Sequence, residues 1–107
     1  MYILLMTYDL VQNGDSQLNA EIKATLKDKG WRDEACYWTK PQECGVNSTT
    51  PDTTLWKLGD CQEEGCEDFE DACLEYNAHH LHVRKQAKGK VFCVRYEHQD
   101  VATLKLE

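Results

Sequence analysis

Two groups of side chains and one acidic residue in this chain carry chemistry of their own: six cysteines, the histidines of an HHLH stretch, and Asp9 near the end of an apolar run. The cysteines (Cys36, Cys44, Cys61, Cys66, Cys73 and Cys93) are separated by 7, 16, 4, 6 and 19 residues. No C-x-x-C pair occurs, so the usual spacing of a zinc knuckle is absent. Cys66, Cys73 and Cys93 fall on apolar faces and read as small core residues. Cys44 lies in a loop and Cys61 near a helix start, where the helix dipole lowers a thiol pKa and favours reactivity. His79, His80 and His82 crowd together, yet on a helix they point in different directions, whereas ligands on one face need a spacing of three or four. Their expected role is favourable charge at a helix C-terminus. No metal or cofactor is implied by these spacings. Asp9 offers hard oxygen ligands of the kind that hold Mg²⁺, or else caps a turn.

An acidic run adds a fourth candidate. Asp60, Glu63, Glu64, Glu67, Asp68, Glu70, Asp71 and Glu75 fall within sixteen residues that contain no Lys or Arg. Such a run is the solvated face of a helix, or a docking surface for a basic partner, with Glu63, Glu64, Glu67 and Asp68 as its leading residues. Trp31, Trp38 and Trp56 read as core and sheet-face aromatics, with Trp38 and Trp56 as candidate binding residues. Base stacking would need neighbouring Lys and Arg, and the basic cluster Arg84, Lys85, Lys88, Lys90 lies elsewhere in the sequence.

The elements that must position these residues follow from periodicity. YILLMTYDL is a continuous apolar run too short for a useful helix, which suits a central strand. Asn13–Gly14 marks a turn, and Asp15 or Ser16 a helix N-cap. Leu18, Ile22 and Leu26 recur at i, i+4 and i+8, and Gly30 is a natural C-terminal stop. A second strand is expected over Trp31–Lys40, then a loop over residues 40–52 forming a hairpin insertion, and a third strand in TTLWKLGD. Residues 61–84 predict a second helix with Cys66, Phe69, Cys73, Leu74 and Leu81 on one face. KVFCVRYE is a fourth strand, with a possible short fifth in VATLKL. The order β-α-β-β-α-β predicts one α+β domain over 1–107 with a ferredoxin-like fold: two helices on one face of a four-stranded antiparallel sheet.

Bulk composition bounds the function. A 107-residue chain is one domain, with ordinary globular content of hydrophobic (41%) and charged (29%) residues. Its net charge of -7 repels a polyphosphate backbone, so nucleic-acid binding is disfavoured. No segment has the length to cross a bilayer. The N-terminal run lacks a basic leader and a small-residue cleavage site, which predicts a cytoplasmic protein with mostly reduced thiols.

YILLMTYDL, KGW and TTLW together resemble small ferredoxin-like bacterial and phage proteins related to the CRISPR-associated adaptation endonuclease subunit, many of them carried on mobile elements. The resemblance covers mainly residues 2–31 and 53–58. It implies a homodimer with the C-terminal tail taking part, and in the nuclease members a divalent metal at the aspartate ending the first strand, matched here by Asp9. The nuclease members bear basic surfaces, whereas residues 60–75 here are acidic, and the loop over 40–52 departs from the pattern. The expectation is therefore a non-enzymatic, homodimeric interaction module of mobile-element type with a possible protein partner on the acidic helix. The alternatives are a metal-dependent ribonuclease or toxin-like protein using Asp9, and a thiol or metal-binding regulator.

Overall fold

A computed structural model of the chain describes residues 2–33, 53–80 and 86–97. Within them the order is β1 (Tyr2–Leu10), α1 (Leu18–Asp28), β2 (Thr54–Gly59), α2 (Glu63–His79) and β3 (Gly89–Tyr96). The strands form an antiparallel sheet in the order β2-β1-β3. The protein is thus α+β, and its first strand is central, paired along both edges; it is apolar from Tyr2 to Met6 and carries Thr7 and Asp9 exposed further on. Leu4, Met6, Tyr8 and Leu10 point to one face and are buried. Ile3, Leu5, Thr7 and Asp9 alternate onto the other.

Helix α1 forms where Leu18, Ile22 and Leu26 recur on one stripe, and all three are fully buried. Burying each contributes roughly 1.5–3 kcal/mol before ordering entropy is subtracted. The helix stops in a Schellman motif. Gly30 takes φ 101°, its N–H donates to the Lys27 carbonyl at 3.0 Å, and the Trp31 N–H donates to the Leu26 carbonyl at 3.1 Å. Only glycine enters that left-handed region readily. The motif turns Trp31 back into the core, where it is 2% exposed.

Helix α2 buries Gly65, Phe69, Ala72, Cys73 and Tyr76. The expected stripe is corrected on two points: Cys66 is exposed and Leu74 is 57% exposed. The helix is rotated toward Gly65 because that residue, lacking a side chain, lets α2 approach β3. A Cβ there would collide with the Cys93 Sγ and lie 2.7 Å from the Cys93 Cβ.

The expected second strand lies mostly outside the described residues, as do Cys36, Trp38, Cys44, the loop over 40–52, His82 and the VATLKL segment. Of that range only residues 31–33 are described. Arg32 forms an antiparallel bridge to Trp56, with N···O distances of 2.7 and 2.9 Å, on the side of β2 away from β1.

Candidate functional site

The turn between β1 and α1 builds a polar cluster. Asn13 is 6% exposed, and its Oδ1 accepts from the Asp15 N–H at 2.9 Å. Asp15 Oδ1 in turn accepts from the Gln17 N–H at 2.9 Å, ahead of the first turn of α1. Across from them, the last turns of α2 bring Tyr76 and His80. The Tyr76 hydroxyl donates to Asp15 Oδ2 and accepts from Asn13 Nδ2 at 3.2 Å. The His80 ring stacks on Tyr76 with centroids 4.2 Å apart, and its Nε2 lies 2.7 Å from Glu21 Oε2. One donor atom each from Asp15, Glu21 and His80 lies within 4.8 Å of the others. Among the described residues this is the one place where three such side chains converge.

Two shifts follow from this geometry. The Tyr76 hydroxyl holds the Asp15 carboxyl below its ordinary value, helped by the Gln17 N–H. Burial, reinforced by the bond to Asp15, pushes the Tyr76 hydroxyl above its own. Asp15, lowered on folding, contributes stability that is present above its unfolded pKa and lost as pH falls through its folded value. Tyr76, raised on folding, contributes stability that is present below its unfolded pKa and lost as pH rises through its folded value. Replacing Tyr76 with phenylalanine is predicted to lower the urea midpoint by a constant amount between about pH 5 and pH 9, with the gap narrowing outside that window. A gap independent of pH over the whole range would show that the pair contributes nothing through ionisation.

Asp9 is not part of the cluster. It lies one residue before the end of β1, exposed, in register with Lys90. The side-chain bonds that shape the turn toward α1 come instead from Asn13 and Asp15, which corrects the capping role expected for Asp9.

The acidic helix divides into bound and solvated residues. Lys57 of β2 reaches Glu64 at 3.2 Å and Asp68 at 3.1 Å. Burial pulls its pKa down, but the bonds to Asp68 and Glu64 outweigh this and hold it above the ordinary value. Asp68 also accepts from Trp31 Nε1 at 2.8 Å, and Glu75 pairs with Lys29 at 3.5 Å. Two of the four leading acidic residues, Glu64 and Asp68, therefore fasten α2 to the sheet. Glu63, Glu67, Glu70 and Asp71 remain exposed.

The four described cysteines are free. Burial pushes the Cys93 thiol up to about 11, and burial together with Glu70 raises Cys73. Cys61 is exposed at the start of α2, but its thiol bonds the Glu63 carboxylate, which raises its pKa. This corrects the expectation of an activated thiol there: the Glu63 carboxylate in contact disfavours the thiolate.

The sheet face opposite the helices carries Leu5, Trp56, Leu58, Phe92, Val94 and Tyr96 by strand alternation and register. Phe92 is 65% exposed and Leu58 45%. Arg32 lies over the Trp56 ring at 4.8 Å. Comparison with family models, with curated proteins and with solved structures finds no match for this chain. No helix among the described residues is long and apolar enough to cross a membrane.

The convergence of Asp15, Tyr76 and His80 escaped sequence reasoning because about 60 residues separate its two halves. The HHLH stretch was the available signal. Histidine spacing along one helix could not reveal partners from another element.

Proposed function

We propose that this chain is a non-enzymatic, cytoplasmic interaction module that pairs with a second copy of itself through the sheet face opposite the helices. The observation that carries the reading is the exposure of Phe92 and Leu58 on a face that also holds Leu5, Trp56 and Val94. Contiguous apolar surface of more than a few hundred Å² is uncommon on monomers, and two-fold pairing is the commonest closed assembly. Burial of this face against its own copy removes apolar area from water without requiring a partner of opposite charge.

Three further arguments support the reading. The finer fold is ferredoxin-like with four strands: the Arg32–Trp56 bridge supplies the first pairing for a strand outside β2, and β1 is central as that topology requires. The resemblance of residues 2–31 and 53–58 to mobile-element proteins of that fold implies the same homodimer. The solvated carboxylates Glu63, Glu67, Glu70 and Asp71 offer a basic protein segment a separate surface. The nuclease alternative draws less support, since Asp9 faces Lys90 and stands apart from the converging donors.

Light scattering at micromolar concentration tests the reading. The expected mass is twice the 12.4 kDa of the chain, and Phe92→Lys together with Leu58→Lys should return it to one. A monomeric wild type defeats the proposal. A dimer that survives both substitutions but is lost on deleting residues 100–107 would move the interface from the face to the tail.

A further inference from the structure

We propose that Asp15, Glu21 and His80 form a binding site for one divalent first-row transition ion, held between the start of α1 and the end of α2. The inference is independent of the homodimer and stands or falls separately from it.

The geometry has three parts. First, the donors are of mixed kind: one imidazole nitrogen and two carboxylates, brought together from two elements. An all-oxygen set suits Mg²⁺ or Ca²⁺, and thiolates suit softer ions, whereas imidazole with carboxylates suits Mn²⁺, Fe²⁺, Co²⁺ or Zn²⁺. Second, the donors are already near coordinating range. Bonds of about 2.0–2.2 Å to one ion place its ligands roughly 3–4 Å apart, and the three donor atoms here lie within 4.8 Å of one another. The Glu21–His80 contact of 2.7 Å must open slightly to admit the ion, and Asp15 must close toward it. The Glu21 side chain is 43% exposed and that of His80 21%.

Third, the residues behind the donors fix their orientation. Asp15 Oδ1 is bonded to the Gln17 N–H and Oδ2 to the Tyr76 hydroxyl. Each carboxylate oxygen keeps a second acceptor position, so these bonds orient the group without exhausting it. Asn13, itself nearly buried, bonds both the Asp15 N–H and the Tyr76 hydroxyl. The Tyr76 ring, 3% exposed, stacks on His80 and sets the plane of the imidazole. Outer residues of this kind typically contribute about 10–100-fold to metal affinity. With three protein ligands, water would complete the coordination of a bound ion.

Cobalt titration of chelator-stripped full-length protein at neutral pH distinguishes this site from the cysteines. Co²⁺ should bind at one equivalent with visible ligand-field absorption and no thiolate charge-transfer band in the near ultraviolet. It should also raise the thermal midpoint. Glu21→Gln and His80→Asn should each weaken binding at least about tenfold, and Tyr76→Phe, which keeps all three ligands, by about tenfold. Glu21→Gln preserves shape on a half-exposed helix position, so it keeps the test valid if His80→Asn fails to fold. Absence of saturable binding to the wild type overturns the proposal. So does a thiolate band at the first equivalent, or unchanged affinity in folded Glu21→Gln.

Discussion

Replacing Trp31 with alanine is expected to lower the unfolding free energy by about 3–5 kcal/mol. The indole is 2% exposed and is one of the largest fully buried side chains. Its N–H donates to Asp68 at 2.8 Å, and the Lys57 ammonium lies 5.1 Å from the ring centroid. Alanine leaves a cavity between α1, α2 and the sheet, and removes the donor that helps hold Asp68. Trp31→Phe keeps a ring and loses only the donor and part of the volume, so a smaller change of about 1.5–3 kcal/mol is expected. Domains of this size are stable by only about 5–15 kcal/mol, so the alanine variant loses a large share of its total stability. Urea denaturation of the three proteins is the measurement. An alanine variant within about 1 kcal/mol of wild type would mean that Trp31 does not anchor the core.

The second large effect reverses the sign that local propensity predicts. Alanine in place of a helical glycine ordinarily stabilises by about 0.5–1 kcal/mol. At Gly65 a Cβ would collide with the Cys93 Sγ, so Gly65→Ala is expected to destabilise by about 1–3 kcal/mol instead. The double variant with Cys93→Ala removes the sulfur and should recover part of the loss, with a coupling of about 0.5 kcal/mol or more. It cannot recover everything, because the Cys93 Cβ itself lies 2.7 Å from the added methyl position. A stabilised Gly65→Ala single variant would contradict the close seating of α2 on β3.

Those two residues also mark the limit of what the sequence makes legible. The α1 stripe was readable to the residue because Leu18, Ile22 and Leu26 alone decide that helix's buried face, and Gly30 announces its end. β1 was readable as central from the apolar run at its start, and the alternation of β3 placed Phe92 opposite Cys93. In α2 the signal misled. Periodicity made Cys66 and Leu74 part of the buried stripe, yet Gly65 fixes the rotation of the helix by an absence of side chain that no hydropathy pattern records. The same holds for the cluster. Asp15 was expected as the N-cap, a position Gln17 takes without a side-chain bond while Asp15 bonds the Gln17 N–H ahead of it; its convergence with His80 is a product of how α1 and α2 pack. Lys57 gave no sign that it would bind two of the carboxylates in the acidic run, because strand and helix registers are set independently until they meet.

The register of the central strand has a consequence for how this protein is made. Ile3 pairs with Tyr96 and Leu10 with Gly89, so one whole edge of β1 waits for roughly 80 further residues to be synthesised. At about 5–20 residues per second that delay is roughly 4–16 s, far longer than the about 1–10 μs a hairpin needs to form. This apolar segment therefore emerges well before both of the strands that pair with it. Such non-local pairing must meet its loop-closure entropy before any ladder bond forms, which slows folding. During that interval the nascent chain presents an unpaired hydrophobic strand, and its yield in the cell depends on what shields that strand until β3 arrives.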